Sequence, residues 1–188
     1  VNTITTYTGR EVNPLEMQPG DVCIEDLAHA LALCNRFAGH SRFPINVAQH
    51  SILVSLLCDS NHDHALAGLL HDGSEAYLGD VTKWLKKSPE MEGYRRAEHR
   101  AQNCVYVAFN LQPYSRDTVE WADQLAVRYE FELAFGRGQN VEGYGAPSHG
   151  ERARLYRMSV ENPQLWRPYM TWQESEMAFL HRFRDLTQ

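Results

Sequence analysis

The 188-residue chain predicts an all-α fold, a single-domain helical bundle with an extended arm over residues 1–20. Three observations carry that expectation. Apolar residues recur at i, i+3 and i+4 along most of the sequence, the spacing that lines one face of a helix. Short stretches with Gly, Pro, Asn and Asp separate the recurrences, and such residues stop one helix and cap the next. No stretch of useful length alternates apolar and polar residues at the period of a strand.

The elements follow in order. Residues 1–20 hold Gly9, Pro14, Pro19, Gly20 and several threonines, and read as an extended arm or short hairpin laid over the helices. Asp21 is placed to cap a helix reaching about residue 38, with Ile24, Leu27, Ala28, Leu31 and Cys34 or Asn35 facing inward. "GHSRFPIN" breaks the pattern through Gly39 and Pro44. Asn46 caps a second helix, with Val47, His50, Val54 and Leu57 on one stripe. After the polar joint "DSNHDH", a helix from about 63 to 77 turns Leu66, Leu69 and Leu70 inward. Gly79-Asp80 interrupts it, and Asp80 is a candidate cap for a short helix beginning Val81-Thr82-Lys83. A long amphipathic helix is expected from about Pro89 to Leu111, stopped by Pro113. Another runs from about Arg116 to Phe135, with Val119, Ala122, Leu125 or Ala126, and Tyr129 on one stripe. The glycine-rich stretch 136–150 reads as a loop beside the site, because too little chain follows it to fold alone. Helical pieces around 151–160 and 171–186 complete the single domain, residues 1–188.

Composition narrows the function. The chain is 43% hydrophobic and 22% charged, with a formal net charge of −6, values ordinary for a globular protein. It lacks the basic stripe of a duplex nucleic-acid binder, but a few local Arg and Lys residues suffice for a small anionic substrate. No apolar run approaches the length of a membrane span, and the first residues have no signal-peptide pattern. Cys23, Cys34, Cys58 and Cys104 form no CxxC and read as reduced, mostly buried thiols. These readings predict a cytoplasmic protein that touches neither membrane nor duplex nucleic acid.

Two His-Asp pairs carry the chemistry. His62-Asp63 follows Ser60-Asn61 at a helix start, where short polar groups and an acid suit the free N–H groups; with His64 it reads as solvated. His71-Asp72 follows Leu69-Leu70 in "GLLHDGSEAYLGDVTKWLKK" and leaves its helix at a buried place. Taken alone, it fits a satisfied core histidine with Asp72 capping the next turn equally well. His50 and Asp123, on inward faces of two other helices, change that balance. With His71 and Asp72 they supply two nitrogens and two oxygens, a set suited to Mn, Fe, Co, Ni or Zn rather than calcium. Octahedral coordination would leave two positions for water or a phosphate oxygen. Glu75 lies three residues past Asp72, on the same helix face, and is a candidate general base. Asp80 is a candidate proton donor to the leaving oxygen, or a plain N-cap. Arg36 offers a fork of donors to a phosphate, or marks a solvated helix end. Lys83 reads either as a β- or γ-phosphate contact or as a surface lysine. Phe37 and Trp84 either flank a base or belong to the core. His40, His99, His149 and His181 read as structural.

"NVAQHSILVS", "LLHDGSEAYLGDV" and "WADQLA" resemble, in order and spacing, the HD-domain phosphohydrolases. The likeness covers roughly residues 20–135 and is greatest to the small 5′-deoxynucleotidase branch, which includes phage deoxynucleoside triphosphohydrolases. It implies an all-helical fold and a metal on His50, His71, Asp72 and Asp123. It further implies catalytic roles for Glu75 and Asp80, and phosphate contact by Arg36 beside the aromatic Phe37. Phe37 stands where relatives often carry Trp, and Thr82 where many carry Pro, both near the expected substrate pocket. The implied activity is metal-dependent cleavage between the 5′ oxygen and the α-phosphorus of a deoxynucleotide. One form releases triphosphate from a deoxynucleoside triphosphate, dATP above all, with Arg36, Arg42, Lys83, Lys86 and Lys87 available for the added charge. The alternative is a deoxynucleoside 5′-monophosphate phosphatase. A two-metal phosphodiesterase would need more histidines than His99 supplies. A non-catalytic module, in which metal only ties helices together, leaves Glu75 and Asp80 without a purpose. The cofactor expected is Zn, Co or Mn, or Mg with the triphosphate, and relatives imply a homo-oligomer.

Overall fold

The computed structural model describes residues 2–136 and 145–188. The arm is an antiparallel hairpin, β1 (Ile4–Thr5) and β2 (Glu11–Val12), with Ile4 opposite Val12. Asp26 fastens it to the body: its two oxygens accept from the Thr8 amide at 2.7 Å and the Thr8 hydroxyl at 2.9 Å. The body is the expected all-α bundle. Its helices are α1 (Ile24–Leu33), α2 (Val47–Leu57), α3 (His62–Leu70), α4 (Glu75–Leu78) and α5 (Lys83–Lys86). They continue with α6 (Glu92–Ala108), α7 (Arg116–Phe135), α8 (His149–Glu161) and α9 (Trp172–Asp185).

Helix α2 is the centre. Every residue from Val47 to Leu57 is buried, so it has no solvent face, and α1, α3, α7 and α9 pack around it. Its aliphatic side chains each contribute about 1.5–3 kcal/mol by leaving water. Asn46 caps it, accepting from the Gln49 amide at 2.8 Å, and its Nδ2 donates to Ser175 Oγ of α9 at 3.0 Å. Buried Arg182 of α9 donates to Ser55 Oγ at 3.0 Å and to Asp59 Oδ1 at 2.5 Å, closing the opposite end. Helices α2 and α3 cross at Gly68, where a Cβ would lie 3.2 Å from Ser55 Cα and N. That close crossing fixes the spacing between His50 on α2 and the end of α3.

Several boundaries differ from the sequence reading. Helix α1 starts at Ile24 because Asp21 closes a separate 3-10 turn, Pro19–Asp21, accepting from the Gln18 amide at 2.8 Å. It ends at Leu33 because the chain then pairs with the approach to α2: the Arg36 amide donates to Ile45 O at 2.8 Å and the Val47 amide to Cys34 O at 3.0 Å. The helix expected over 63–77 is two. Helix α3 stops at Leu70, and i+3 bonds from Gly73 to Leu70 and from Glu75 to Asp72, both 3.0 Å, carry a tight turn into α4. Asp80 does not cap α5; Thr82 holds that position. Helix α6 begins at Glu92, after a 3-10 turn at Pro89–Met91, and ends at Ala108. His64 is not merely solvated: its Nε2 accepts from the Ser115 amide at 3.0 Å. Helix α7 has the expected bounds, and Val119, Ala122, Leu125 and Ala126 are buried on it. Of the glycine-rich stretch, residues 137–144 lie outside the described residues. All four cysteines are free thiols, and no described helix is long and apolar enough to cross a membrane.

Gly68→Val is expected to lower stability by about 1–3 kcal/mol in chemical denaturation, because the added carbons meet backbone rather than a movable side chain. Gly150→Ala, where a Cβ meets open space, is expected to leave stability unchanged or slightly raised.

Candidate metal centre

Four side chains from three places converge. His50 comes from α2, His71 and Asp72 from the turn after α3, and Asp123 from α7. His50 Nε2 lies 3.0 Å from Asp123 Oδ1 and 3.7 Å from Asp72 Oδ2. His71 Nε2 lies 3.2 Å from Asp72 Oδ2 and 3.8 Å from Asp123 Oδ1. One donor atom each from His50, His71 and Asp123 lies within 4.8 Å of the other two. Exposure rises from 0% for the His50 side chain through 12% for His71 and 24% for Asp72 to 35% for Asp123. The nitrogens therefore sit at the floor and the carboxylates towards the opening.

The far side of each ring fixes which nitrogen faces the cluster. His71 Nδ1 lies 2.8 Å from Gly68 O. A carbonyl only accepts, so Nδ1 carries the proton and Nε2 of the neutral ring keeps its lone pair. His50 Nδ1 lies 3.1 Å from both oxygens of Glu130, which sets the same tautomer. Both Nε2 atoms are buried without a hydrogen-bond partner, although carboxylate oxygens stand near them. Buried, outward-supported imidazoles facing anionic oxygens out of hydrogen-bond line fit a divalent cation.

The charges fit as well. Burial would lower the His71 pKa, but Asp72 and Asp123 reverse this and hold it well above the ordinary imidazole value. Burial and Arg36 act downward on His50, and Glu130 with Asp123 carries it upward. Burial raises Asp72, but the two imidazoles hold it far below the usual carboxylate range, and they do the same for Asp123.

A cavity of about 610 Å³ opens over this floor, lined by Arg36, Phe37, Asp72, Glu75, Asp80, Lys83 and Asp123 among others. Thus the structure gathers every predicted site residue, with His50 and His71 beneath. Arg36 Nε lies 3.1 Å from Glu130 Oε2 and its Nη1 3.6 Å from Asp72 Oδ2. Phe37 and Ala38 have φ of 57° and 49°, a left-handed turn costing about 1–2 kcal/mol per non-glycine residue. The Phe37 ring is fixed edge-on to Phe131 at 6.1 Å and Phe135 at 5.6 Å. Trp84, Val127, Phe131 and Phe135 complete an apolar wall. Glu75 is buried; Oε1 meets Lys86 Nζ at 3.0 Å, and Oε2 has no hydrogen-bond partner. Burial, with Asp72 and Asp80 nearby, pushes its carboxyl well up against the pull of Lys86.

Some expectations shift. Arg42 is not among the lining residues; its amide donates to Ala134 O at 3.2 Å and its guanidinium lies against Gly136. His40, read as structural, lines the cavity's exposed edge. His99 bonds Asn103 at 3.2 Å and His181 pairs with Asp185 at 3.2 Å, and neither lines the cavity. Glu130 escaped the sequence reading. Its signal was its spacing: seven residues from Asp123, two helical turns, it lies on the same face of α7.

Glu130→Gln is expected to weaken divalent-ion affinity about 10- to 100-fold, measured by titration calorimetry. Metal binding must displace the protons that the raised imidazoles hold. Ion-free, the His–Asp pairs contribute stability that is fully present below the ordinary imidazole pKa and lost as pH rises through the raised values of His50 and His71. The stabilisation by Zn²⁺ or Mn²⁺ runs oppositely, so the ion-induced rise in Tm is expected to be larger at pH 8 than at pH 6.

No protein-family model matches the chain. It is similar to the uncharacterized protein RCAP_rcc00048 of Rhodobacter capsulatus, 33% identical over 69% of this chain and 71% of that one. It is also similar to the uncharacterized protein YfdR of Escherichia coli K12, 31% identical over 68% of this chain and 69% of that one. On these two matches, the chain belongs to the family of YfdR and RCAP_rcc00048.

Proposed function

We propose that the protein is a metal-dependent deoxynucleotide phosphohydrolase of the HD type, cleaving between the 5′ oxygen and the α-phosphorus. One observation carries this reading: two buried, unpartnered imidazole nitrogens meet Asp72 and Asp123 beneath a 610 Å³ cavity lined by Arg36, Glu75 and Asp80. His50, His71, Asp72 and Asp123 would hold one divalent ion, Zn, Co or Mn, or Mg with a triphosphate. When bound, such an ion supplies Lewis acidity at a phosphoryl oxygen and lowers the pKa of neighbouring water.

The residues divide the remaining work. Arg36, held by Glu130, directs its guanidinium at the phosphate. Glu75 takes the proton of the attacking water, a role suited to a carboxyl raised by burial. Asp80, carried on the turn at Gly79, hands a proton to the departing O5′. The apolar wall of Phe37, Trp84, Phe131 and Phe135 suits a nucleoside. Lys83 and Lys87 also line the cavity, and this charge beyond Arg36 supports the triphosphate, with dATP as the substrate to try first. A deoxynucleoside monophosphate is the alternative, since the residues at the floor serve both. A purely structural ion would leave Glu75 and Asp80 lining a cavity without purpose. A cytoplasmic homo-oligomer acting on a small molecule, away from membranes and duplex nucleic acid, completes the proposal.

The test is product analysis after incubation with dATP or dAMP and Mn²⁺ or Co²⁺. Deoxyadenosine and intact triphosphate are expected from dATP; deoxyadenosine from dAMP alone would overturn the triphosphate reading. Glu75→Gln is expected to keep the metal and lose about 100-fold or more of kcat. Absence of any turnover by the metal-loaded wild type would leave the structural module as the better reading.

A further inference from the structure

Lys86 lines the cavity, where a phosphate ligand would be sought, yet its surroundings assign it elsewhere. Its Nζ lies 3.0 Å from Glu75 Oε1 and 2.5 Å from Glu98 Oε1. The backbone under it is held too: Arg95 Nη1 donates to Lys86 O at 2.5 Å and to Ser88 O at 2.7 Å. Glu98 and Arg95 both come from α6, against which α5 packs. The Tyr94 ring, one residue before Arg95, lies 5.9 Å from Nζ, and its hydroxyl donates to Gly79 O at 2.9 Å. Apart from Glu75, the partners of the Lys86 ammonium and carbonyl thus come from one helix. Moving the ammonium to a phosphate would leave Glu75, 5% exposed, without its cation, a costly state for a buried carboxylate.

We propose that Lys86 is a positioning residue for Glu75, held to that task by Glu98 and Arg95, and not a ligand of the substrate's phosphates. With Oε1 occupied by the ammonium, Oε2, which has no hydrogen-bond partner, is the oxygen left to meet the attacking water. The inference rests on the proposed role of Glu75, and its test separates the two.

Steady-state kinetics of the full chain with Mn²⁺ and both dATP and dAMP would decide. Lys86→Met is expected to lower kcat about 10- to 100-fold while KM stays within about twofold for either substrate. Lys86→Arg is expected to restore most of kcat. Glu98→Gln is expected to lower kcat more mildly, and Glu98→Gln with Lys86→Met to be no slower than Lys86→Met alone, because both act through one contact. Metal content and circular dichroism of each variant guard against loss of the fold; should Lys86→Met fail to fold, Lys86→Arg and Glu98→Gln carry the test through the same split. A rise in KM for dATP of about tenfold with little change in kcat would make Lys86 a phosphate ligand and overturn the inference. Unchanged kinetics in all variants would overturn it as well. A wild type that turns over neither substrate overturns the hydrolase reading first, and this inference with it.

Discussion

The structure depends on one constraint: an imidazole placed on a helix that has no solvent face. His50 is wholly buried in α2, and a buried polar group left unsatisfied costs about 1–3 kcal/mol. Neither of its nitrogens can be answered by water. Glu130 answers Nδ1, and the opposite nitrogen looks onto Asp72 and Asp123. Both Glu130 and Asp123 stand on α7, so satisfying His50 fixes the rotation of a 20-residue helix about its axis. Glu130 is itself a buried charge, and the guanidinium of Arg36 at 3.1 Å supplies its second partner. One buried ring thereby sets α7, the turn after α3 and the segment before α2 in a single arrangement.

Helix α6 performs the complementary task without contributing to the cluster. Gln102 holds the turn that carries His71 and Asp72 from both sides, donating to Leu70 O at 2.7 Å and accepting from the Ser74 amide at 3.0 Å. Two turns back along the same face, Tyr94 holds Gly79, and beside it Arg95 and Glu98 hold Lys86. The segment 70–88 consists of turns and four-residue helices too short to be stable alone. Its order is borrowed from a 17-residue helix with its own amphipathic stripe. Short turns braced by a long neighbour bring Asp72, Glu75 and Asp80 to the lining of one cavity.

How much of this was legible follows from the same physics. Helix α7 was legible from about Arg116 to Phe135 because a four-member apolar stripe runs along it. Helix α2 was legible as a helix but not as the centre, because a helix buried on all sides has no stripe to orient it. His50, His71, Asp72 and Asp123 could be proposed together because an imidazole or an acid on an inward helix face needs a partner or an ion there. The break at Leu70 was hidden, since "GLLHDGSEAYL" keeps helical spacing through residue 78 and the turn is imposed by Gln102, which lies 28 residues from Ser74. Arg42 was misjudged for a similar reason: a cation's charge is visible in sequence, but the direction of its side chain is decided by Gly136, far along the chain at the end of α7. Glu130 looked like one more acid on an amphipathic helix, and only the burial of its partner distinguishes it.

Electrostatics ties the cluster to any anionic substrate. The chain carries a formal charge of −6, and Asp72, Glu75, Asp80, Glu98 and Asp123 all line the cavity. Among the cations there, Arg36 is paired with Glu130 and Asp72, Lys86 with Glu75 and Glu98, and Arg95 is spent on two carbonyls, while Lys83 and Lys87 line the same cavity. The five acids and five cations of the lining balance in formal charge, so a phosphate is disfavoured only at the floor, beside Asp72 and Asp123, unless their charge is cancelled from beneath. Two raised imidazoles do this in part, at the expense of the lone pairs that face the opening. A divalent ion in place of their protons would cancel both carboxylates and return the imidazoles to neutrality. The floor would then change from a proton-holding ion-pair cluster to the positive end of an anion site, so the proposed substrate and the proposed ion rest on the same set of charges.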